Sequence, residues 1–265
     1  MIKNTVNTEL RICGGGVEPS SRASFRNCKN GFKKYVAFTL AETLIVMGII
    51  GIVSALTLPN LNSSTGEKEK IAKVKKLHQN LDDAIGRATA VYGPIDEWKT
   101  LDSEATAQQT RFGDRLTEFM KVSKNCGMTA NQGCFAKTPK TLDGRNYDSF
   151  KDSSSVYKFI LADGSSVLIN PGGGILVDID GPNKGKNTWG IDLFAFVKGD
   201  DNTSYVPMGQ GAKVSAFISE LKPTAKGLVA AGWVINYDNM DYLKLTSEGK
   251  CPNGTTPTEE NPRCK

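Results

Sequence analysis

One almost purely apolar run, Phe38 to Leu58, constrains this chain more than any other stretch of its sequence. As an α-helix it would extend about 31 Å, which matches the roughly 30 Å hydrocarbon core of a bilayer. Lys33 and Lys34 precede the run and no basic residue lies between 61 and 66. The positive-inside rule therefore predicts a cytoplasmic N-terminus and an extracytoplasmic body. A cleavable secretory signal fits less well, because its apolar core is shorter, about 7 to 15 residues.

The formal net charge of +5 belongs to the N-terminal region. Residues 1–37 hold seven Lys or Arg and two Glu, whereas residues 38–265 hold 26 basic and 26 acidic side chains. The body thus has no net charge that would attract polyanions. We expect no nucleic-acid partner on this ground.

A carboxylate, Glu42, lies inside the apolar run near its N-terminal end. An acidic side chain at the centre of a membrane helix costs about 2.5 to 3.5 kcal/mol on insertion scales, so it indicates a function and a partner. If the chain is cleaved between Ala37 and Phe38, the partner is the new α-amino group of Phe38 on a neighbouring subunit. Such a pair would set the register of a polymer, because an unpaired buried carboxylate penalises every wrong alignment.

The segment KKYVAFTLAETLIVMGIIGIVSALTLP resembles the N-terminal signature of type IV pilins and type II secretion pseudopilins. In that family a prepilin peptidase removes a basic leader before a phenylalanine, which is then N-methylated, and the fifth mature residue is glutamate. Phe38 and Glu42 match these two positions, and Pro59 matches the family's helix-kinking proline. The chain departs from the family pattern at Ala37, where glycine is usual, and in the length of its leader.

The resemblance implies a cleaved leader at 1–37, a transmembrane and polymerisation helix at 38–58 and an extracytoplasmic head at 59–265, in which the helix continues to about 92. It implies a single-pass inner-membrane protein that later enters a pilus or pseudopilus. The implied partners are the prepilin peptidase and N-methyltransferase, the inner-membrane assembly platform and other pilin or pseudopilin subunits, in a homo- or hetero-polymer. Two alternatives stay open: a minor pilin that binds DNA or surfaces, and a single-pass membrane-anchored extracytoplasmic protein.

The body shows first helical and then strand periodicity. Apolar residues recur every three or four positions from Ile71 to Ala88, which predicts an amphipathic helix, and its KEKIAKVKK segment is interpreted mainly as a solvated face. A second helix is expected after Asp102 as N-cap, and a short one from Val214 to Leu221. Four apolar runs separated by turn signals predict a four-stranded antiparallel sheet, at 156–161, 166–170, 175–179 and 191–197. The expected fold class is α+β, with the long helix packed on the sheet, which the pilin resemblance also implies.

Four cysteines of the body form two close pairs, Cys126–Cys134 and Cys251–Cys264, in Gly- and Pro-containing stretches. Such short loops predict two local disulfides in an oxidising compartment. A zinc site is the alternative, but no CxxC motif occurs and the only histidine, His78, is distant in sequence. With one histidine and paired cysteines, neither a Ser/His/Asp nor a Cys/His catalytic set is evident, so an enzyme is not expected.

The segment DIDGPNKGKNTWGID collects hard oxygen ligands of the kind that suit Ca²⁺: Asp178, Asp180, Asn183 and Asp192. Some pseudopilins hold calcium in a loop of the head, which favours this interpretation. The EF-hand pattern fails, because the twelfth position counted from Asp178 is Trp189. The alternative is a metal-free turn in which Asp and Asn side chains cap backbone amides. No cofactor is required by either interpretation.

Overall fold

The computed structural model describes residues 39–98, 105–170, 174–200 and 203–264, without the side chains of 55–65 and 105–106. The predicted cleavage positions Ala37 and Phe38 and the predicted helix cap Asp102 lie outside the described residues. The chain divides after Leu61 into two units, and most of the tertiary structure belongs to the second.

The longest element is helix α1, which begins at Leu40 and ends at Tyr92. It ends where Gly93 takes a positive φ of 80°, a conformation that glycine adopts without strain, and Pro94 follows. Pro59 lies inside the helix. Within the described part of the chain, no helix combines the length and the apolar character needed to cross a membrane.

Six strands among the described residues form one antiparallel sheet in which every strand pairs with its neighbour in sequence. They are β1 (Val122–Gly127), β2 (Tyr157–Leu161), β3 (Ser166–Ile169), β4 (Ile175–Asp178), β5 (Leu193–Lys198) and β6 (Tyr205–Pro207). The α+β class with an antiparallel sheet is thereby confirmed. The predicted strand count of four was wrong, because β1 is largely exposed and polar and β6 has three residues, so neither produces a run of apolar positions.

The remaining helices pack around the sheet. Helix α2 (Ala105–Glu118) precedes β1, and α3 (Val214–Leu221) and α4 (Ala230–Tyr237) follow β6. The predicted short helix at 214–221 is confirmed. Trp233 and Tyr237 lie four residues apart on α4, with ring centroids 4.8 Å apart.

The main core lies between α1 and one face of the sheet. The α1 side chains buried in it recur at helical spacing: Ile71, Val74, Leu77, Leu81, Ala84, Ile85 and Ala88. The sheet contributes Phe159, Val167, Val177, Phe194 and Phe196. Full burial of a side chain such as Leu81 contributes about 1.5 to 3 kcal/mol.

The opposite face of the sheet is also covered. Leu168, Leu176 and Leu193 form a second buried cluster there with Phe135 and Trp189. Burial on both faces explains why β3 and β4 each contain three consecutive apolar residues, 167–169 and 175–177, instead of an alternating pattern. This face also holds a fully buried ion pair between Lys158 and Asp152, with Nζ and Oδ1 3.6 Å apart.

Both predicted disulfides are present. Cys126–Cys134 joins β1 to the segment that follows it, and Cys251–Cys264 closes the C-terminal loop. The zinc alternative for these four cysteines is therefore not supported.

Candidate functional site

The first candidate site is the start of α1, where Glu42 has a local partner. Its Oε2 accepts hydrogen bonds from the Thr39 backbone N–H at 3.0 Å and from Thr39 Oγ1 at 2.8 Å. The Glu42 N–H in turn donates to Thr39 Oγ1 at 3.2 Å. This reciprocal arrangement is a capping box. It was not predicted above, although the spacing Thr-x-x-Glu before an apolar run is its sequence signal.

The beginning of α1 exposes large apolar side chains on all sides. They are Leu40, Leu44, Ile45, Val46, Met47, Ile49, Ile50, Ile52 and Val53, each with more than half of its surface exposed. A helix that is apolar all round is stable when lipid or other protein surrounds it. A contiguous apolar surface of this extent marks an interaction site.

The second candidate site is the β4–β5 loop, where the structure brings three of the four predicted ligands together. Asp178 at the end of β4 is fully buried, and its Oδ1 accepts the N–H groups of Asp180 at 3.2 Å and Gly181 at 3.0 Å. Its other oxygen, Oδ2, is buried and has no hydrogen-bond partner among the described residues. Burial and then the negative charge of nearby Asp192 raise the pKa of Asp178 to about 7.

Asp192 organises the loop from its far end. The Asp192 carboxylate is fully buried and accepts three consecutive backbone N–H groups. Oδ2 receives those of Lys186 at 2.5 Å and Asn187 at 2.9 Å, and Oδ1 receives that of Thr188 at 2.5 Å. This turn explains why β5 begins at Leu193 and not at Ile191 as predicted.

Gly185 allows the loop carboxylates to approach each other. It has a φ of +69°, and a Cβ at this position would lie 2.3 Å from Asp192 Oδ2 and 3.2 Å from Asp180 Oδ2. Any side chain here would therefore collide with the carboxylate that holds the turn. The glycine leaves a small space between two acidic side chains.

Asp180 pairs with helix α1. Its Oδ1 lies 3.0 Å from Lys73 Nζ, and its Oδ2 lies 3.5 Å from Lys70 Nζ. Lys70 Nζ also donates to the carbonyl of Ile191 at 3.1 Å. In the α1 segment that was interpreted mainly as a solvated face, Lys70 and Lys73 are therefore partly covered by the β4–β5 loop.

Asn183 does not join the other predicted ligands in this way, since it lies on the exposed part of the loop. Asn187 lies deeper: its Nδ2 is 3.4 Å from the Pro182 carbonyl, and its Oδ1 is buried without a hydrogen-bond partner among the described residues. Asn187 was not among the predicted ligands. Its positive φ of 48°, which asparagine tolerates better than most residues, explains its place in the turn.

Only some of the side-chain oxygens in the β4–β5 loop could bind a hard cation. Asp178 Oδ2 and Asn187 Oδ1 are buried oxygens that no described residue contacts through a hydrogen bond, whereas Asp192 and Asp180 already accept hydrogen bonds. Across the described ranges, no group of three or more His, Cys, Asp or Glu side chains is arranged to hold a metal ion.

Comparison with known proteins does not assign a family. No protein-family model, no curated protein and no solved structure matches the chain.

Proposed function

We propose that the chain is the precursor of a pilin-like structural subunit that assembles through its N-terminal helix into a type IV pilus or a type II secretion pseudopilus. The observation that carries the proposal is the apolar surface of α1 from Leu40 to Val53, with a single carboxylate, Glu42, at its start. No catalytic step is part of the proposal. The head at 59–265 would contribute surface properties or contacts to secreted proteins.

The apolar side chains at the start of α1 require an apolar environment. Each large side chain that leaves water contributes about 1.5 to 3 kcal/mol, so nine such side chains strongly favour an apolar environment. Before assembly, that environment would be the inner membrane, with segment 38–58 inserted and the N-terminus in the cytoplasm. After assembly, it would be the corresponding helices of neighbouring subunits.

Glu42 supplies the register in this proposal. In the polymer its carboxylate would meet the α-amino group of Phe38 from the adjoining subunit, once the prepilin peptidase has cleaved after Ala37. A charge pair of this kind adds little net stability, but an unpaired carboxylate in the same place costs several kcal/mol. Misaligned subunits would therefore be rejected.

The native N-terminus tests the proposal. The protein is isolated from membranes of cells that contain a prepilin peptidase, and its N-terminal peptide is analysed by mass spectrometry. The expected product begins at N-methylated Phe38. A chain that retains Met1, or one cleaved after residue 58, would favour the anchored or secreted alternatives. The DNA-binding alternative requires a basic surface on the head, whereas residues 38–265 carry equal numbers of acidic and basic side chains.

We further propose that the β4–β5 loop takes up Ca²⁺ without requiring it for folding. Buried Asp178 Oδ2, which has no hydrogen-bond partner among the described residues, is the observation that favours a cation. Asp178 and Asp180 would supply carboxylate oxygens and Asn187 an amide oxygen, the ligand types that calcium prefers. Isothermal titration with calcium chloride tests the site. Absence of both heat and thermal stabilisation would eliminate it.

A further inference from the structure

A groove of about 510 Å³ lies where the last turn of α1 meets one face of α2. Its lining carries four charged side chains of α2, the basic Arg111 and Arg115 and the acidic Asp114 and Glu118, beside the ring of Tyr92. A cavity of this size holds a small molecule or a few residues of a peptide. Its acidic and basic groups differ in the partners that the fold already gives them.

The two acids of the groove accept hydrogen bonds from tyrosines. The Tyr157 hydroxyl donates to Asp114 Oδ1 at 2.7 Å, and the Tyr92 hydroxyl donates to Glu118 Oε2 at 2.5 Å. A carboxylate has about four acceptor positions, so each of the two can accept further donors. The acids are therefore held in place and can still bind N–H groups of a ligand.

The two arginines of the groove have no carboxylate partner among the described residues. Ion pairs of arginine in this part of the chain are formed by Arg87 and Arg145, and by neither Arg111 nor Arg115. Arg111 and Arg115 lie four positions apart on α2, so they share one face of the helix. Two neighbouring positive charges are thus available to an anion.

Aromatic rings hold the guanidinium group of Arg115. Its Cζ lies 4.6 Å from the centroid of the Tyr92 ring and 5.5 Å from that of Trp98. Its Nη1 is buried and makes no hydrogen bond to a described residue. A guanidinium group positioned in this way loses less conformational entropy when it binds a ligand, and its incomplete hydrogen bonding favours an acceptor.

An acidic peptide matches this combination of charges. The planar fork of an arginine pairs with both oxygens of a carboxylate. A nucleic acid would bring several phosphate charges close to Asp114 and Glu118, which would repel them. A peptide instead brings side-chain carboxylates for the arginines and backbone N–H groups for the two acids.

We propose that this groove binds an acidic segment of a partner protein, with Arg111 and Arg115 pairing with its carboxylates. Asp114 and Glu118 accept N–H groups of the same segment. The surface goes beyond the assembly function and does not depend on it, because its residues lie outside the apolar segment from Leu40 to Val53. It gives the head a defined class of partner, a protein that presents glutamate or aspartate side chains along an extended segment.

Fluorescence anisotropy tests the surface with a rhodamine-labelled peptide of alternating glutamate and glycine, titrated with the full chain in nonionic detergent micelles at low ionic strength. Arg111→Gln/Arg115→Gln removes both charges, and we expect it to weaken binding about tenfold or more. The matched control Arg87→Gln/Arg145→Gln removes two exposed arginine charges outside the groove. Its affinity for the peptide should equal that of the unsubstituted chain.

Two further variants separate recognition of the peptide from packing of the helices. Arg111→Gln alone leaves the ring contacts of Arg115 intact and should weaken binding by a smaller factor, so the test does not depend on folding of the double variant. Arg111→Lys/Arg115→Lys keeps both charges but removes the planar forks, and it should bind the peptide more weakly than the unsubstituted chain.

Three results would overturn the proposal. The first is the absence of any anisotropy change, or an equal loss of affinity in the groove variant and in the control. The second is equal binding of a peptide in which glutamine replaces glutamate, since the arginines would then not select carboxylates. The third is preferential binding of a labelled single-stranded oligonucleotide through the same arginines. Each of these results leaves the assembly proposal unaffected.

Discussion

Thr39 and Glu42 cap the first turn of α1 through three reciprocal hydrogen bonds. The carboxylate that the assembly proposal assigns to a neighbouring subunit therefore also has a role within its own helix. These two roles depend on different properties, since capping needs an acceptor oxygen and intersubunit pairing needs a negative charge.

Substitutions at these two residues separate the roles. Glu42→Gln keeps an acceptor for Thr39 but removes the charge, so we expect normal membrane insertion and loss of fibres. Thr39→Val removes the hydroxyl and weakens the cap by about 0.5 to 2 kcal/mol, but leaves the charge, so fibres should still form. Membrane fractionation and electron microscopy of sheared fibres measure the two outcomes. Normal fibres from Glu42→Gln, or equal defects in both variants, would contradict the proposed intersubunit pair.

The buried pair of Lys158 and Asp152 should be indispensable for stability. Lys158→Met leaves the Asp152 carboxylate buried without its cation, which is expected to lower the free energy of unfolding by about 3 to 5 kcal/mol. The exposed residue Lys137 provides the control, because Lys137→Met should change that free energy by less than about 0.5 kcal/mol. Urea unfolding of both variants measures the difference. The double variant Lys158→Met/Asp152→Asn should recover part of the lost free energy of unfolding. An unchanged free energy of unfolding in Lys158→Met would refute the prediction.

Two helical glycines should respond oppositely to alanine. A Cβ at Gly232 in α4 would lie 2.7 Å from the backbone carbon of Gly209, so Gly232→Ala forces backbone atoms apart and should cost about 1 to 3 kcal/mol. A Cβ at Gly86 in α1 has nothing within 4 Å, so Gly86→Ala should stabilise the helix by about 0.5 to 1 kcal/mol. Thermal unfolding of the two variants shows whether each substitution raises or lowers the stability. A neutral or stabilising Gly232→Ala would show that the close approach of α4 to Gly209 is wrong, and a destabilising Gly86→Ala would contradict the open space at Gly86.

The C-terminal disulfide should stabilise the head beyond its own loop. Glu259 lies between Cys251 and Cys264 and accepts the Val214 N–H, at the start of α3, at 2.6 Å. Cys251→Ser/Cys264→Ser should lower the free energy of unfolding by about 3 kcal/mol, the value expected for a loop of this length. Hydrogen exchange should also become faster at the Val214 amide. The control Glu260→Ala, at an exposed neighbour of Glu259, should change neither the free energy of unfolding nor the exchange rate at Val214. Unchanged exchange in the cysteine variant would rule out the proposed link between the disulfide loop and α3.

The elements found from sequence are those whose signal is local. The periodicity of Ile71 to Ala88 and the apolar runs around Val167 and Val177 each lie within a few consecutive residues, so α1 and the central strands could be predicted. Strand β1 could not, since most of its side chains are exposed and it is specified by pairing with β2 over an intervening segment of 29 residues, 128–156. Tertiary packing also decided the helical state of Trp233, whose ring contacts Phe217 and Tyr237.

In the β4–β5 loop, too, local sequence predicts some features and tertiary packing decides others. The alternation of Asp178 and Asp180, with Asp192 after a glycine-rich segment, identified the acidic residues in advance. That spacing does not predict which of the carboxylate oxygens already accept hydrogen bonds. It depends on backbone amides that the turn presents and on lysines that α1 brings from more than a hundred positions away.

The amino-acid sequence by itself determined the apolar N-terminal segment, the position of its carboxylate and the two short disulfide loops, because each depends on residues close together in the chain. Only the tertiary structure decided that Lys70 and Lys73 face Asp180, and that Lys158 is buried with Asp152. Charged side chains find distant partners through the packing of the elements that carry them, and the free energy of such a pair depends on its burial. Neither the packing nor the burial is encoded in local spacing.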